Sequence, residues 1–139
     1  MRLRCARFPG LGSGGGLPRV QANGFWIEEI GRAQVSMNLL DFAITPIWRA
    51  WEAVAAEAAG DDVALAESEL VGLAPVAAFL DVADHAGTSG DAPVEDRLAA
   101  AAAYLRLRDF SPLQALELRL KAAMAQEDGS PGRSGRAAS

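Results

Sequence analysis

The segment Ala33-Gln34-Val35-Ser36-Met37-Asn38-Leu39 alternates apolar and polar residues without a break. Ala33, Val35, Met37 and Leu39 form one row and Gln34, Ser36 and Asn38 the other, the period of a β-strand with one side against a core. A strand of this kind requires a sheet, and the sheet requires a covering layer on its apolar face only. The polar row is uncharged. Solvated sheet faces usually collect Lys and Glu, so a row of amides and a hydroxyl suits hydrogen bonding to a ligand or a facing domain. An ordinary solvated face is the competing reading. A second segment, Ser68-Glu69-Leu70-Val71-Gly72-Leu73-Ala74-Pro75, also has strand character and opens on two polar residues.

The flanking sequence supplies the rest of an α+β domain. Residues 19–28 and 32–40, separated by Glu29-Ile30-Gly31, read as an antiparallel hairpin. Thr45-Pro46 reads as an N-cap followed by proline in the first helical position, and Ile47, Trp51, Val54 and Ala58 recur at helical spacing. Gly60-Asp61-Asp62 ends that helix, and Val63 to Val71 reads as a third strand. Pro75 opens a second helix with Val76, Phe79, Leu80 and Ala83 on one face. After a Gly/Ser/Asp/Pro loop from His85 to Pro93 comes an alanine-rich helix, Val94 to Leu107. Ser111-Pro112-Leu113-Gln114 carries a capping-box pattern, and Leu113, Leu116, Leu120 and Met124 make the stripe of a last helix. This order predicts an antiparallel sheet with helices packed on one face and a helical C-terminus. Residues 1–18 and 127–139 are rich in Gly, Pro and Ser and lack periodicity, so the folded unit is expected at 19–126 between two disordered ends.

Composition bounds the function. The chain has 139 residues, enough for one domain, and half of them are hydrophobic, but only 6% are aromatic. A thin core anchored by Phe25, Trp26, Trp48, Trp51, Phe79 and Phe110 is therefore expected. Net charge is −5, and four of the arginines precede any acid, so the folded middle lacks the clustered basic face that nucleic acid requires. One cysteine and one histidine exclude an internal disulfide and a structural zinc site, in keeping with a reducing cytoplasm. No apolar run is long enough to span a bilayer, and no secretory signal is recognisable. Gly12-Ser13-Gly14-Gly15-Gly16 lacks the Lys-Ser/Thr pair and preceding strand of a phosphate loop. His85 reads as a solvated histidine at a helix end, Trp48 and Trp51 as core, and Cys5 as a thiol without an activating base.

Several spaced motifs agree in order with one known family: Gly14-Gly15-Gly16-Leu17-Pro18, Gly31 to Leu39, Thr45-Pro46, Ser68 to Pro75, and Asp109-Phe110-Ser111-Pro112. Over about residues 14–120 the chain resembles the formiminotransferase family, and in particular the C-terminal half of its members. The resemblance implies a ferredoxin-like subdomain of an enzyme that moves a formimino group from N-formimino-L-glutamate to tetrahydrofolate in histidine degradation. It implies folate as co-substrate, no metal, and a tunnel between this half and an N-terminal subdomain that carries the catalytic histidine. Because Arg4 to Ser13 does not match the helix the family has there, a truncated or frame-shifted product is expected, inactive in isolation.

Formimino transfer needs a base that keeps the folate nitrogen nucleophilic and groups that stabilise the tetrahedral adduct as charge develops. On this half the resemblance makes Glu69 the candidate supporting residue, grouped by strand parity with Val63, Leu65 and Val71. Asn38 is carried over with it as a cleft residue, followed by Gln34, Ser36 and Ser68. A solvated or helix-capping Glu69 is the competing reading. At the level of the whole chain, the competing function is a non-catalytic ferredoxin-like module that binds a partner half or pairs with itself through the open sheet face.

Overall fold

The computed structural model describes residues 2–5 and 17–128. Its strands β1 (Arg2–Cys5), β2 (Val20–Ile27), β3 (Arg32–Leu39) and β4 (Leu65–Glu69) form one sheet in the order β2-β3-β1-β4, with every pairing antiparallel. Four helices follow the hairpin: α1 (Ile47–Gly60), α2 (Val76–His85), α3 (Val94–Tyr104) and α4 (Leu116–Asp128). Strand order and direction are those of a ferredoxin-like sheet, an α+β architecture with its helical layer on one face. None of the helices among the described residues is long and apolar enough to cross a membrane.

The hairpin forms as its alternation requires. β2 and β3 pair in unbroken register from Val20↔Leu39 to Ile27↔Arg32. A short 3-10 turn, Glu28–Ile30, and Gly31 in the left-handed region (φ 59°) join them, a conformation that glycine adopts without steric cost. Ala33, Val35 and Met37 are buried on one side, and on them pack Trp51 and Val54 of α1, Phe79 and Val82 of α2, and Leu98 of α3. This is the single apolar face anticipated from β3.

The central strand comes from residues expected to lie in a disordered arm. Arg2–Cys5 sits between β3 and β4. Arg2-Leu3-Arg4-Cys5 does alternate, but over four residues beside a Gly/Pro-rich stretch the pattern is too short to stand out. Met1 and residues 6–16 of that arm, and the expected tail from residue 129, lie outside the described residues. Glu127 and Asp128 close α4 instead of opening the tail.

Other expectations are corrected by long-range contacts. Thr45 does not cap α1: its hydroxyl donates to the Pro18 carbonyl at 2.5 Å, and Pro46 takes the cap position without a side-chain bond. The buried face of α2 is Ala78, Phe79, Val82 and Ala83, so Val76 and Leu80 are only partly covered. α3 stops at Tyr104 because Arg106 to Arg108 run beside β4, where Ser68 N–H donates to the Arg106 carbonyl and Arg108 N–H to the Ser68 carbonyl, each at 2.9 Å. The capping box at Ser111 forms in both directions, yet it opens a 3-10 turn, Pro112–Gln114, ahead of α4. Phe25 and Trp26 are half-exposed on the hairpin and anchor no core, and the stripe of Leu113, Leu116, Leu120 and Met124 faces outward.

Two substitutions separate the load on these faces. Phe79→Ala, at a fully buried site that contacts Phe110, is expected to destabilise the chain by about 3–5 kcal/mol in urea denaturation. Leu120→Ala, on the outward stripe, should change stability by less than about 0.5 kcal/mol.

Candidate functional site

The sheet has a second face that the helices among the described residues leave open, and register decides which residues reach it. Arg2 is paired with Ser36 on one side and Glu69 on the other, and Arg4 with Gln34 and Glu67. Directly paired residues share a face. Gln34, Ser36, Glu67 and Glu69 therefore stand on one face, with Asn38 next along β3 and Gln21, Asn23 and Phe25 opposite them on β2. Four of the five residues proposed for the cleft, Gln34, Ser36, Asn38 and Glu69, are brought together here.

A β-bulge makes this possible. Arg4 is paired with Glu67 and Cys5 with Leu65, so Ala66 is an extra residue in β4. Parity switches there. Leu65 is buried with the helices while Glu67 and Glu69 point the other way, so grouping Glu69 with Leu65 by unbroken alternation was incorrect. The same switch removes Ser68 from the open face. It is 1% exposed, and its hydroxyl donates to the Leu105 carbonyl at 2.5 Å, tying β4 to the end of α3.

Exposure varies along the open face. Asn38 is exposed, Ser36, Glu67 and Glu69 are partly exposed, and Gln34 is 8% exposed despite facing away from the helices. Phe25 stands directly across from Gln34 and is 54% exposed, an aromatic ring on an otherwise polar surface. Arg108, beside β4, completes the charge pattern: its guanidinium lies 3.6 Å from Glu67 and 3.9 Å from Glu69, with Asp109 at 3.5 Å. Sequence reasoning missed Arg108 because its link to Glu69 depends on the loop after α3 turning back along the sheet edge. The surface so formed offers amide donors and acceptors, one hydroxyl, two carboxylates and a guanidinium, a set suited to a flat polar ligand or a facing protein surface.

The chain's single histidine lies elsewhere, in the helical layer. His85 stacks on Trp48 with ring centroids 3.8 Å apart, and its Nε2 is 2.7 Å from Glu52 Oε1. Tyr104 donates to that same carboxylate oxygen, and Trp48 Nε1 donates to Asp81 at 3.0 Å. The cluster joins α1, α2 and α3, so His85, exposed at the end of α2 as expected, also has a partner in Glu52. The Tyr104 hydroxyl, then the His85 contact, holds Glu52 below the usual carboxylate range, and the bond to Glu52 pushes the Tyr104 phenol up to about 12. Among the described residues, no group of three or more His, Cys, Asp or Glu side chains is placed to hold a metal ion.

Comparison with known proteins agrees with this architecture. Residues 6–118 match the formiminotransferase domain, and the chain belongs to that family. It is 35% identical over 113 residues to a glutamate formimidoyltransferase of Thermoplasma acidophilum, covering 81% of this chain and 31% of that protein. It is 40% identical over 74 residues to a glutamate formimidoyltransferase of Streptococcus pyogenes serotype M1, covering 53% of this chain and 25% of that one. With the formimidoyltransferase-cyclodeaminase of Gallus gallus it shares 44% identity over 70 residues, 50% of this chain and 13% of the relative. The chain thus spans less than a third of the length of these relatives.

The helical cluster has a defined pH signature. Glu52 is more acidic when folded, so its contribution is present above the ordinary carboxylate range and fades as pH falls through its lowered folded value. Tyr104 is less acidic when folded, so its contribution is present below about pH 10 and fades as pH rises through about 12. Glu52→Gln is expected to be less stable than the parent at pH 7, and the gap should close at acid pH. Denaturant titrations of both chains between pH 3 and 7 measure it, and a gap that does not vary with pH contradicts the assignment.

Proposed function

We propose that this chain is the C-terminal subdomain of a glutamate formimidoyltransferase, and that its open sheet face is one wall of the site where a formimino group passes from N-formimino-L-glutamate to tetrahydrofolate in histidine degradation. The observation that carries the reading is the convergence of Gln34, Ser36, Asn38 and Glu69 on a face that none of the helices among the described residues covers, in a chain of the formiminotransferase family. A reduced pterin presents ring N–H donors and a carbonyl acceptor. Uncharged amides with a nearby carboxylate can pair with such an edge, and Phe25 offers a surface for stacking.

In this reading Glu69 accepts a hydrogen bond from the reacting partners or opposes cationic charge on the formimino group as the tetrahedral adduct forms, while Asn38 and Ser36 orient the substrate. Arg108, beside Glu69, counters the charge of a carboxylate-bearing substrate. The proton-transferring histidine comes from the complementary N-terminal part, because His85 lies in the helical layer, away from the open sheet face, and is engaged with Glu52 and Trp48. A second reading, a pairing module with no chemistry of its own, is favoured by the exposed Phe25 on the edge strand of the face.

The two readings differ in turnover. The chain alone is expected to show no tetrahydrofolate-dependent formimino transfer, and addition of the remainder of a formimidoyltransferase should restore it. In the restored enzyme Glu69→Ala should lower turnover by about 10²-fold or more, the range for a positioned acid, base or electrostatic group. Glu69→Gln should retain more activity if the residue acts only as a hydrogen-bond partner. Turnover by the isolated chain contradicts the need for both parts, and normal kinetics in both variants contradicts the assignment of Glu69.

A further inference from the structure

The two outer strands of the sheet differ in how their edges are met. Along β4 the chain after α3 continues the ladder: Ser68 N–H donates to the Arg106 carbonyl and Arg108 N–H to the Ser68 carbonyl. Among the described residues, β2 has β3 on one side and no strand on the other, and six residues in succession, Gln21 to Trp26, are exposed. Its main-chain groups alternate in direction. Leu40 N–H donates to the Arg19 carbonyl at 2.8 Å, which makes Arg19 and Leu40 a hydrogen-bonded pair. By alternation Gln21, Asn23 and Phe25 address β3, while Ala22, Gly24 and Trp26 turn their N–H and C=O groups outward.

Edge strands normally carry a device that discourages further pairing: a charge, a proline, a bulge or a short length. Val20–Ile27 has none of these. It is eight residues long, contains no charged residue and no proline, and keeps unbroken register with β3. Charge appears only at its ends, where Arg19 precedes it and Glu28 and Glu29 follow it. Gly24 lies near its middle, and a glycine inside a strand marks a place where another backbone can come close. Opposite charges at the two ends make the strand complementary to itself when run in the reverse direction.

We propose that β2 pairs antiparallel with β2 of a second copy of this chain, with the twofold axis at Gly24, so that two sheets continue into one. In this register Gly24 exchanges main-chain hydrogen bonds with Gly24 of the second copy, and Ala22 exchanges them with Trp26. Trp26, 52% exposed, then lies over Ala22 and Gly24 of the second copy, where there is little side chain to displace. A shift by one residue would set the open-face row of one copy against the helix-side row of the other. The same arrangement brings Arg19 of each copy beside Glu28 and Glu29 of the other, and symmetry repeats the contact. Each chain carries a net charge of −5, but at physiological salt that repulsion is screened beyond roughly 8 Å, so the opposite charges at the strand ends decide the local balance. The pairing uses a strand edge and leaves the polar face uncovered, and it is therefore independent of what that face binds.

Sedimentation velocity of the full chain between about 1 μM and about 1 mM tests the pairing, and the parent is expected to pass from monomer to dimer within that range. Ala22→Pro removes an outward N–H without removing a bond to β3, and should weaken dimerisation by about tenfold or more. Arg19→Glu and Glu29→Arg should each weaken it by about fivefold, and the two substitutions in one chain should restore it to within about twofold of the parent. A parent that stays monomeric throughout, a dimer unaffected by Ala22→Pro, or a double variant no better than the single ones overturns the proposal. Circular dichroism checks that each variant keeps its fold, and if Ala22→Pro unfolds, the charge-reversal series decides. A negative result leaves the functional reading untouched, because turnover after addition of the complementary part is measured separately.

Discussion

Everything in this structure depends on β3 having two different faces. Its apolar row gives the helices a surface to bury, and the same alternation obliges the intervening Gln34, Ser36 and Asn38 to face away. A slip of one residue in register would bring an amide row against Phe79, Val82 and Leu98, with several polar groups left to find partners in an apolar layer. The long, unbroken pairing with β2 guards against that slip. Burial of one row and availability of the other are therefore a single constraint seen from its two sides.

β4 extends this two-sidedness across the sheet through an irregularity. Without the extra residue at Ala66, either Leu65 would leave the core or Glu67 and Glu69 would be driven into it. The bulge lets a five-residue strand serve both layers. Arg108 reaches the two carboxylates only because the chain after α3 bonds to the outer edge at Ser68. The apolar anchor, the acidic pair and the guanidinium thus depend on one local adjustment of the ladder. The histidine cluster fastens α1, α2 and α3 to one another on the far side and takes no part in this arrangement.

Much of this was legible in the sequence where a pattern is local and long. The eight-residue alternation of β3, the spacing of Ile47, Trp51, Val54 and Ala58, and the Ser111 capping box all express themselves within a few residues. What escaped depends on contacts between distant positions. Arg2–Cys5 is too short to announce itself as the central strand. Parity carried through β4 missed the bulge and grouped Glu69 with the buried Leu65, while Ser68, carried over from the resemblance as a cleft residue, is turned inward by that bulge. Leu116, Leu120 and Met124 lie at helical spacing on α4, with Leu113 in the turn before it, but nothing in the spacing itself says whether another layer of this chain will cover them. Hydrophobic pattern predicts which residues want a partner, and only topology decides whether the partner is in the same chain.

The central claim is that the open sheet face, and not the outward helical stripe, is where the rest of a formimidoyltransferase meets this chain. Hydroxyl-radical footprinting with and without the complementary part addresses it directly, because each surface carries a reactive reporter: Phe25 on the sheet, 54% exposed, and Met124 on α4, 66% exposed. Protection of Phe25 with Met124 still fully oxidised is the expected result. Protection of Met124 with Phe25 unchanged would place the interface on the helices and contradict the account.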